Sequence, residues 1–570
     1  MTIKSAILAL KAKDITTAMH IAHKMNSDAN SRCFTTLGIE AGCEKEIGNI
    51  NKALILYEEA LKFPASVQQK ANILHNIAVI LTNSDRHLLA VSYMEELLVI
   101  LNEHEGSQIR LNLGNIYLNL GKYSKAIDTI EPLLKQHAVK VAALNLLIQA
   151  SFKQSNHEKV SMYLCQLEEL KKELNPDLLF LLVDRYAQIN PSKALILIEE
   201  IKNFEHADVH HNIRLIEARL LLENQQPKNA LELLPTVFLE SIENVKYKAM
   251  GYSVRAKALD NQLNFQKAFE SFELMNEFSS EAINEEVRKS DKYPSLSRLN
   301  KINTKLKNTI SPLNLAFIVG FPRSGTTLLE NILNSQKQLF TLDEKPMLTC
   351  VIKKVESDGY KYPSDLANMS LDYLLELRQE YIDSLLTYTP KQSLGEIKLV
   401  IDKNPMHMMH IPLIQTLFPS AKFVLALRHP LDAILSCYMQ NFNMNEGMLH
   451  FADWPNCFVR YQQLFSLYEN YKQFLSVDEH VIRYEDLIHQ FEVTTESLFK
   501  FLEVDYDESY KEFHRLAKKR IVNTASRAQV KVSLYQSSEN RYQYYWKFVK
   551  PHVDKVAGLI QRFGYEVITK

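Results

Sequence analysis

The sequence predicts two parts of different architecture: an N-terminal solenoid of paired α-helices and a C-terminal α/β domain with a mainly parallel sheet. Three observations predict this fold class. Small and large apolar residues recur at helical spacing in the first half, short apolar runs alternate with helical stretches in the second half, and a glycine-containing loop joins a strand to a helix near residue 320. We place the helical repeat domain at 1–278, a polar linker at 279–312 and the α/β domain at 313–570.

The composition excludes several classes of protein. A chain of 570 residues is too long for one core, and its 66 Lys+Arg against 67 Asp+Glu give no support for binding to nucleic acid or to an anionic membrane. The apolar run Ala6–Leu10 is too short for a signal-peptide core or a membrane span. The six cysteines form no CxxC pair, which argues against a zinc site or a disulfide framework. We therefore expect a cytoplasmic protein without a membrane span.

The helical repeats are recognised by small residues that let two helices cross closely and by larger apolar residues around the crossing. The clearest set is Leu113, Gly114, Tyr117, Ala126 and Ile130; the pattern recurs at Leu37, Gly38, Ala53, Tyr57, Ala60 and Pro64, and again at Ala256, Ala268 and Phe272. These sets resemble the tetratricopeptide repeat (TPR), and weaker pairs between them extend the array to about seven helix pairs. Such an array offers a concave surface to a protein or peptide partner. A non-repeating helical domain is the alternative.

The second half begins with a strand that leads into a loop suited to an anion. The apolar runs LNLAFIV, IKLVI and KFVLAL, with the shorter run VIRY, predict buried parallel strands. The first run is followed by Gly320-Phe321-Pro322-Arg323-Ser324-Gly325-Thr326-Thr327 and a helix. Backbone N–H groups, a helix N-terminus, the charge of Arg323 and three hydroxyl groups can all meet a phosphate there. Thr326 stands where a Walker A loop has its lysine, so hydrolysis of ATP or GTP is disfavoured. A plain strand-to-helix turn is the alternative.

At these residues the chain resembles the sulfotransferases, above all the group that includes tyrosylprotein sulfotransferases and bacterial fusions of TPRs with a sulfotransferase domain. PRSGTT after an apolar strand is similar to their 5′-phosphosulfate loop, and the resemblance covers about 313–570. It implies a P-loop-like α/β fold, 3′-phosphoadenosine 5′-phosphosulfate (PAPS) as co-substrate, 3′-phosphoadenosine 5′-phosphate (PAP) as product, and no metal ion. The cofactor-binding residues that it implies are Pro322, Arg323, Ser324, Gly325, Thr326, Thr327, Arg428, Ser436, Tyr484 and Lys531.

Each of the last four residues has its own place in the resemblance. Arg428 ends the run KFVLAL, and Ser436 follows eight positions later, the family spacing for the two residues that hold the 3′-phosphate. Tyr484 in RYEDL matches a tyrosine near the adenine. Lys531 lies in a late segment, TASRAQVKVSLYQSSENRYQYYW, which is similar to the segment that closes over the nucleotide. The family's basic residue stands at Lys531 or one position later.

The resemblance also assigns the catalytic residues. Glu344 follows the loop helix at the family distance from Arg323 and matches the general base, with Asp343 as the second candidate. Lys403 matches a lysine that neutralises charge on the bridging oxygen, and Ser526 a serine that assists there. Without the resemblance, Asp343 and Glu344 are interpreted as a solvated acidic pair in a loop. His407, His410 and His429 match no catalytic position and are interpreted as structural.

The chain departs from the tyrosylprotein sulfotransferases at two positions where those enzymes carry arginine, which are Pro346 and Gln440 here. These changes leave PAPS use intact and put tyrosine specificity in doubt. The predicted function is transfer of a sulfuryl group to an acceptor hydroxyl of a peptide tyrosine, a carbohydrate or a small alcohol, with the repeats recruiting a substrate or partner. A non-catalytic TPR scaffold with a nucleotide site and a P-loop kinase or NTPase are the alternatives.

Overall fold

The structure is a computed structural model, and two compact units make up the chain: Met1–Gln154 with Glu158–Leu170, and Lys171–Lys570 with Ser155–His157. The residues that the structure describes are 2–84, 86–101, 106–154, 156–202, 207–281, 302–389, 396–442, 444, 448–518 and 538–569.

The first unit consists of the helices α1 (Ile3–Lys11), α2 (Ile15–Asn26), α3 (Phe34–Glu46), α4 (Ile50–Ala60), α5 (Val67–Asn83), α6 (His87–Ile100), α7 (Ser107–Asn119), α8 (Tyr123–Ile130), α9 (His137–Lys153) and α10 (His157–Glu169). Consecutive helices from α1 to α9 pack against each other along the chain. Local sequence fixes several helix starts. Ser66 and Gln69 form a reciprocal capping box at α5, and the side chain of Asp14 accepts a hydrogen bond from the backbone N–H of Thr17 at α2.

The crossing of α7 and α8 shows why the repeat needs a small residue. A Cβ added to Gly114 would lie 2.3 Å from Cδ1 of Ile130, well inside van der Waals contact. Ile130 is fully buried, so its side chain has little room to move aside. Gly114 therefore sets how closely the two helices approach, as the repeat pattern predicts.

The second unit begins with further helix pairs of the same kind. They are α11 (Pro176–Ile189), α12 (Pro191–Ile201), α13 (Ala207–Glu223), α14 (Pro227–Leu233), α15 (Thr236–Glu240), α16 (Val245–Asn261) and α17 (Phe265–Glu281). Asparagine or proline marks several of their starts, because an Asn side chain caps free N–H groups and proline fits the first helical turn. The boundary at residue 278 falls within the last turn of α17, and most of the predicted linker, residues 282–301, lies outside the described residues.

A five-stranded parallel sheet forms the centre of the α/β part. The strands are β1 (Leu315–Gly320), β2 (Leu339–Asp343), β3 (Leu399–Lys403), β4 (Lys422–Leu427) and β5 (Glu479–Arg483), in the spatial order β2-β3-β1-β4-β5. The parallel sheet and the helical repeats of the predicted fold class are both confirmed. The sequence interpretation missed β2, a short edge strand of five residues whose apolar run is interrupted by the polar Thr341 and ends in Asp343.

The remaining helices cover the sheet. They are α18 (Thr326–Leu333), α19 (Met347–Ser357), α20 (Leu371–Leu386), α21 (Ile411–Leu417), α22 (Pro430–Tyr438), α23 (Trp454–Phe474), α24 (Tyr484–His489), α25 (Phe491–Leu502), α26 (Phe513–Lys518), α27 (Trp546–Val549) and α28 (Ala557–Arg562). Within the described ranges, no helix is both long and apolar enough to cross a membrane.

The side chains of β1 point alternately to the two faces of the sheet, as successive residues of a strand do. They therefore belong to two separate hydrophobic cores, one on each face. Ala316 and Ile318 belong to the core beneath α18 and α25. Leu315, Phe317 and Val319 face the other core, which also contains apolar residues of α13, α16 and α17. The last repeat helices therefore share one hydrophobic core with the sheet.

Helix α17 also contacts the α/β part through specific interactions. The ring of Phe269 stacks on that of Phe548 with centroids 3.8 Å apart and an interplanar angle of 8°. The side chain of Asn276 donates a hydrogen bond of 2.9 Å to the backbone oxygen of Tyr438, the last residue of α22. The first contact joins α17 to α27, and the second joins it to α22, the helix that follows β4.

We expect Gly114→Ala to lower the thermal unfolding midpoint of the full chain by several degrees. Overpacking costs about 1–3 kcal/mol and the better helix propensity of alanine returns about 1 kcal/mol, so the net loss is up to about 2 kcal/mol. Gly42→Ala in α3 is the matched control, since its Cβ would lie 3.6 Å from the hydroxyl oxygen of Tyr57. Circular dichroism melting checks both variants, and equal midpoints for the two would contradict the close crossing.

Candidate functional site

The glycine-containing loop lies at the point where the strand order reverses. From β1 at the centre of the sheet, the chain forms β2 and β3 on one side and then β4 and β5 on the other. In open parallel sheets, ligands bind outside the carboxyl ends of the strands at such a switch point. The loop after β1 therefore has the ends of β3 and β4 on either side of it.

Two glycines give the loop its shape. Gly320 has φ +150°, and a Cβ there would lie 2.5 Å from the backbone oxygen of Ala426. Gly325 precedes α18 with φ +91°, and a Cβ there would lie 2.8 Å from Cδ2 of Tyr484. Both positions exclude a side chain by conformation and by space. No side chain caps the start of α18, so its first backbone N–H groups and its partial positive charge face the loop.

Arg323, Arg428 and Ser436 meet beside this loop. Nε of Arg323 donates a hydrogen bond of 3.2 Å to the hydroxyl of Ser436 on α22. The guanidinium of Arg428 donates a hydrogen bond of 3.1 Å to the backbone oxygen of Arg323 and one of 2.6 Å to the backbone oxygen of Ser538. Arg428 is only 6% exposed, lies 5.1 Å above the ring of Tyr484, and has a buried Nε that meets no acceptor in the described part of the chain.

The end of β4 is held in place by backbone hydrogen bonds. The carboxylate of Glu485 accepts the backbone N–H of His429 at 2.9 Å, and Asp432 accepts those of Asn540 and Tyr542 at 2.7 and 2.9 Å. Nδ1 of His429 accepts the N–H of Leu431 at the start of α22. Burial lowers the pKa of His429, which keeps the ring neutral in this capping position. These bonds orient Arg428 and Ser436 toward the loop.

A buried lysine lies at the other side of the loop. The side chain of Lys403, the last residue of β3, is 0% exposed, and its ammonium contacts Asp343, Glu344 at 3.1 Å and Glu330 at 3.3 Å. Burial alone would lower the pKa of Lys403, but the charges of Asp343, Glu344 and Glu330 outweigh it and raise the pKa. Lys403 therefore carries a fixed positive charge.

Glu344 is the most accessible carboxylate of this cluster. Its side chain is 47% exposed, against 17% for Asp343. Its backbone N–H donates a hydrogen bond of 2.9 Å to the backbone oxygen of Lys403, and its φ of +47° is a left-handed conformation that costs about 1–2 kcal/mol for a non-glycine residue. The end of β3 thus holds Glu344 by both backbone and side chain.

Asp402 lies next to Lys403 along β3 and faces the opposite side of the sheet. The hydroxyl of Tyr381 on α20 donates a hydrogen bond of 2.7 Å to Oδ2 of Asp402. Nδ1 of His407 lies 3.6 Å from the same oxygen. Burial raises the pKa of Asp402 to about 7, opposed by the Tyr381 hydrogen bond and by the charge of Lys403. Burial also lowers the pKa of His407 to about 3. Neutral His407 and Tyr381 are the polar neighbours of Asp402 in this core.

Most of the predicted site residues lie around the loop. Pro322, Ser324, Thr326 and Thr327 are buried in the loop and the first turn of α18. Ser526 and Lys531 lie outside the described residues. The sequence interpretation missed Glu330, for which the only signal is a carboxylate within the apolar helix LLENIL. Among the described residues, no three histidine, cysteine or carboxylate side chains are grouped as metal ligands.

Sequence comparison relates this chain to two families. Residues 316–508 match the model of the sulfotransferase family, and residues 107–135 match a tetratricopeptide repeat. The first match contains the loop, Glu344, Lys403, Arg428, Ser436 and Tyr484, and the second contains α7 and α8. The chain therefore combines a sulfotransferase-family domain with tetratricopeptide repeats.

Two curated proteins and a solved structure are similar to parts of the chain. A protein of Aquifex aeolicus (strain VF5), named only as uncharacterized, is 25% identical over 374 residues, which is 63% of this chain and 48% of that protein. Nodulation protein NoeE of Sinorhizobium fredii is 25% identical over 134 residues, 22% of this chain and 31% of that protein. The chain thus spans less than half the length of either relative. The sulfotransferase domain of the Synechococcus PCC 7002 olefin synthase is 19% identical with a TM-score of 0.32, covering 48% of this chain and 98% of that one.

Asp402→Asn should stabilise the protein more at pH 8 than at pH 5. The pKa of Asp402 is about 7 in the folded state against 3.8 ordinarily, so the folded state binds this proton more tightly. The free energy of unfolding therefore falls as pH rises from about 4 to about 7, and a neutral amide removes that loss. Thermal midpoints at both pH values check this, with Asp383→Asn on α20 as the exposed control. An equal shift at both pH values would contradict the buried, proton-binding carboxyl group.

Proposed function

We propose that this chain transfers the sulfuryl group of PAPS to the hydroxyl group of an acceptor, releasing PAP and a proton. The observation that carries the proposal is the junction of two anion sites: the loop after β1, and the pair Arg428 and Ser436, joined to the loop through Arg323. A nucleotide with phosphate groups at both its 5′ and 3′ positions needs two such sites side by side. The sulfotransferase-family match over the same residues supports this interpretation.

The residues fit such a nucleotide on their own geometry. Gly320 and Gly325 leave a cradle that a Cβ would fill, and the uncapped start of α18 faces it. The buried Nε–H group of Arg428 can donate a hydrogen bond to a ligand, and the aromatic ring of Tyr484 lies beside Gly325. Thr326 in place of the Walker A lysine favours this nucleotide over ATP.

The carboxylate cluster supplies the groups for proton transfer. Bound PAPS supplies an activated sulfuryl group with a phosphate leaving group. Glu344 accepts the acceptor's proton through its half-exposed carboxylate, whose Oε1 accepts a hydrogen bond from the ammonium of Lys403. Lys403, with its raised pKa, stays protonated and stabilises negative charge at the loop without exchanging a proton. Asp343, more buried than Glu344, positions Lys403. In this proposal Ser526 assists Lys403, and Lys531 binds the 3′-phosphate.

The acceptor is a hydroxyl of a peptide tyrosine, a carbohydrate or a small alcohol, and a peptide tyrosine fits the repeats best. Tetratricopeptide arrays bind extended peptides on their concave faces, so the array would bring a protein or peptide to the catalytic domain. Pro346 stands beside Glu344 where the tyrosylprotein sulfotransferases have arginine, so any tyrosine site here differs from theirs. The cytoplasm stays the predicted compartment.

Arg428→Ala should weaken PAP binding about 10- to 100-fold and leave 5′-AMP binding within about twofold. A hydrogen bond to a charged group contributes about 1.5–3 kcal/mol, and only PAP carries the phosphate that Arg428 would contact. Calorimetry with PAP, 5′-AMP and ATP on wild type and variant checks this. Wild-type protein that binds PAP no better than 5′-AMP, or that turns over ATP with magnesium, would remove the proposal.

Glu344→Gln should lower kcat by about 10²- to 10⁴-fold with the Kd for PAP unchanged, since the amide keeps the shape of the side chain and cannot accept the proton. Transfer of labelled sulfate from PAPS is measured with the best acceptor from a panel of tyrosine peptides, carbohydrates and small alcohols. Asp343→Asn serves as the comparison. If Asp343→Asn lost the activity and Glu344→Gln kept it, Asp343 would be the base.

A further inference from the structure

A large cavity lies inside the second compact unit, between the repeat helices and the loop. Its volume is about 910 Å³, enough for a nucleotide with room to spare. One wall comes from α11, α13, α16 and α17, and the other includes Arg323, Arg428, Ser436 and Gln440. Glu344 and Lys403 do not line it. The cavity therefore adjoins the proposed 3′-phosphate site and not the carboxylate cluster.

Several charged residues of the cavity wall are neutralised by near neighbours. Arg219 on α13 donates a hydrogen bond of 2.8 Å to the carboxylate of Asp184 on α11. Arg541 is paired with Asp260 on α16, which also accepts the hydroxyl of Tyr545 at 2.6 Å. These ion pairs connect elements of the cavity wall, and each arginine charge in them is already largely balanced by a carboxylate.

Lys257 on α16 differs from these residues. It lines the cavity, is partly buried, and has no carboxylate within ion-pair distance in the described part of the chain. Burial and the positive charges of Arg323 and Arg219 lower its pKa to about 8, and Glu223 opposes this only weakly. Lys257 and Arg323, from two parts of the fold, thus repel each other across one cavity, and Arg219 adds to this repulsion although it is paired with Asp184. An anion placed among them would remove that repulsion.

The four residues that follow Ser436, Cys437 to Gln440, include no cation. Gln440, one turn after Ser436, is neutral and donates a hydrogen bond of 3.3 Å to the backbone oxygen of Ser436. A phosphate monoester carries close to two negative charges at neutral pH. Arg428 and Arg323 offer positive charge from one wall of the cavity, with Lys531 as the further contact proposed above. Lys257 lines the opposite wall, where it adds a cation from another side of the phosphate.

We propose that helix α16 of the repeat array contributes Lys257 to the binding of the nucleotide's 3′-phosphate, so that the array is part of the nucleotide site. This inference rests on the proposed function. The contact between α17 and α22 keeps the two walls at a fixed separation, because Asn276 and Ser279 both bond to residues that follow Ser436 in the chain. The array therefore has two tasks, binding a partner and completing the nucleotide site.

The test is calorimetry on the full chain with PAP and 5′-AMP, comparing wild type, Lys257→Met and Lys267→Met. Methionine keeps the unbranched stem and removes the charge. Lys267 is an exposed lysine of α17 that does not line the cavity, so its variant controls for loss of one positive charge. We expect Lys257→Met to weaken PAP binding about 10- to 100-fold with 5′-AMP binding within twofold, and Lys267→Met to match wild type.

Each other outcome overturns a defined part of the argument. If wild type prefers PAP to 5′-AMP and Lys257→Met keeps that preference, the role of Lys257 is wrong and the proposed function stands. Equal weakening of PAP and 5′-AMP by Lys257→Met would make the residue structural and overturn the inference as well. If wild type shows no preference for PAP, the proposed function itself fails.

Discussion

The buried ammonium of Lys403 is the interaction on which the candidate site depends. A charge removed from water this completely is tolerated only with close partners, and removal of one member of a buried ion pair costs about 3–5 kcal/mol. Its partners come from three elements: Asp343 from β2, Glu344 from the residue after it, and Glu330 from α18. The same ion cluster therefore fixes the edge strand, the proposed base and the helix that follows the loop.

Alternation along β3 explains how this cluster coexists with a second buried acid. Lys403 and Asp402 are neighbours in the chain, so their side chains enter opposite faces of the sheet. On one face Lys403 keeps its charge because carboxylates surround it. On the other face Asp402 meets Tyr381 and a neutral His407, and its pKa rises toward neutrality. One short strand thus presents a fixed cation to the site and a protonatable acid to the core.

The repeat helices and the α/β domain are linked more closely than a simple fusion requires. Residues of α13, α16 and α17 belong to the same hydrophobic core as β1, and α17 packs on the helix that displays Ser436. This packing turns one face of the last repeats into a wall of the cavity beside Arg428. A partner bound to these helices would therefore lie close to the proposed nucleotide site, because the same helices line the cavity.

The sequence by itself determined the fold class, four of the five strands, the loop and the spacing of Arg428 and Ser436, since each follows from a local pattern of apolar residues, glycines or strand ends. The sequence interpretation missed β2, whose short run of mixed apolar and polar residues is hard to separate from a loop, and it did not identify Glu330 or Lys257 as site residues. Only the tertiary structure decided those partners. Lys403 meets Asp343 across 60 residues of chain, and Arg323 meets Ser436 across 113. Such contacts depend on which elements become neighbours in the folded chain, and local sequence carries no record of that.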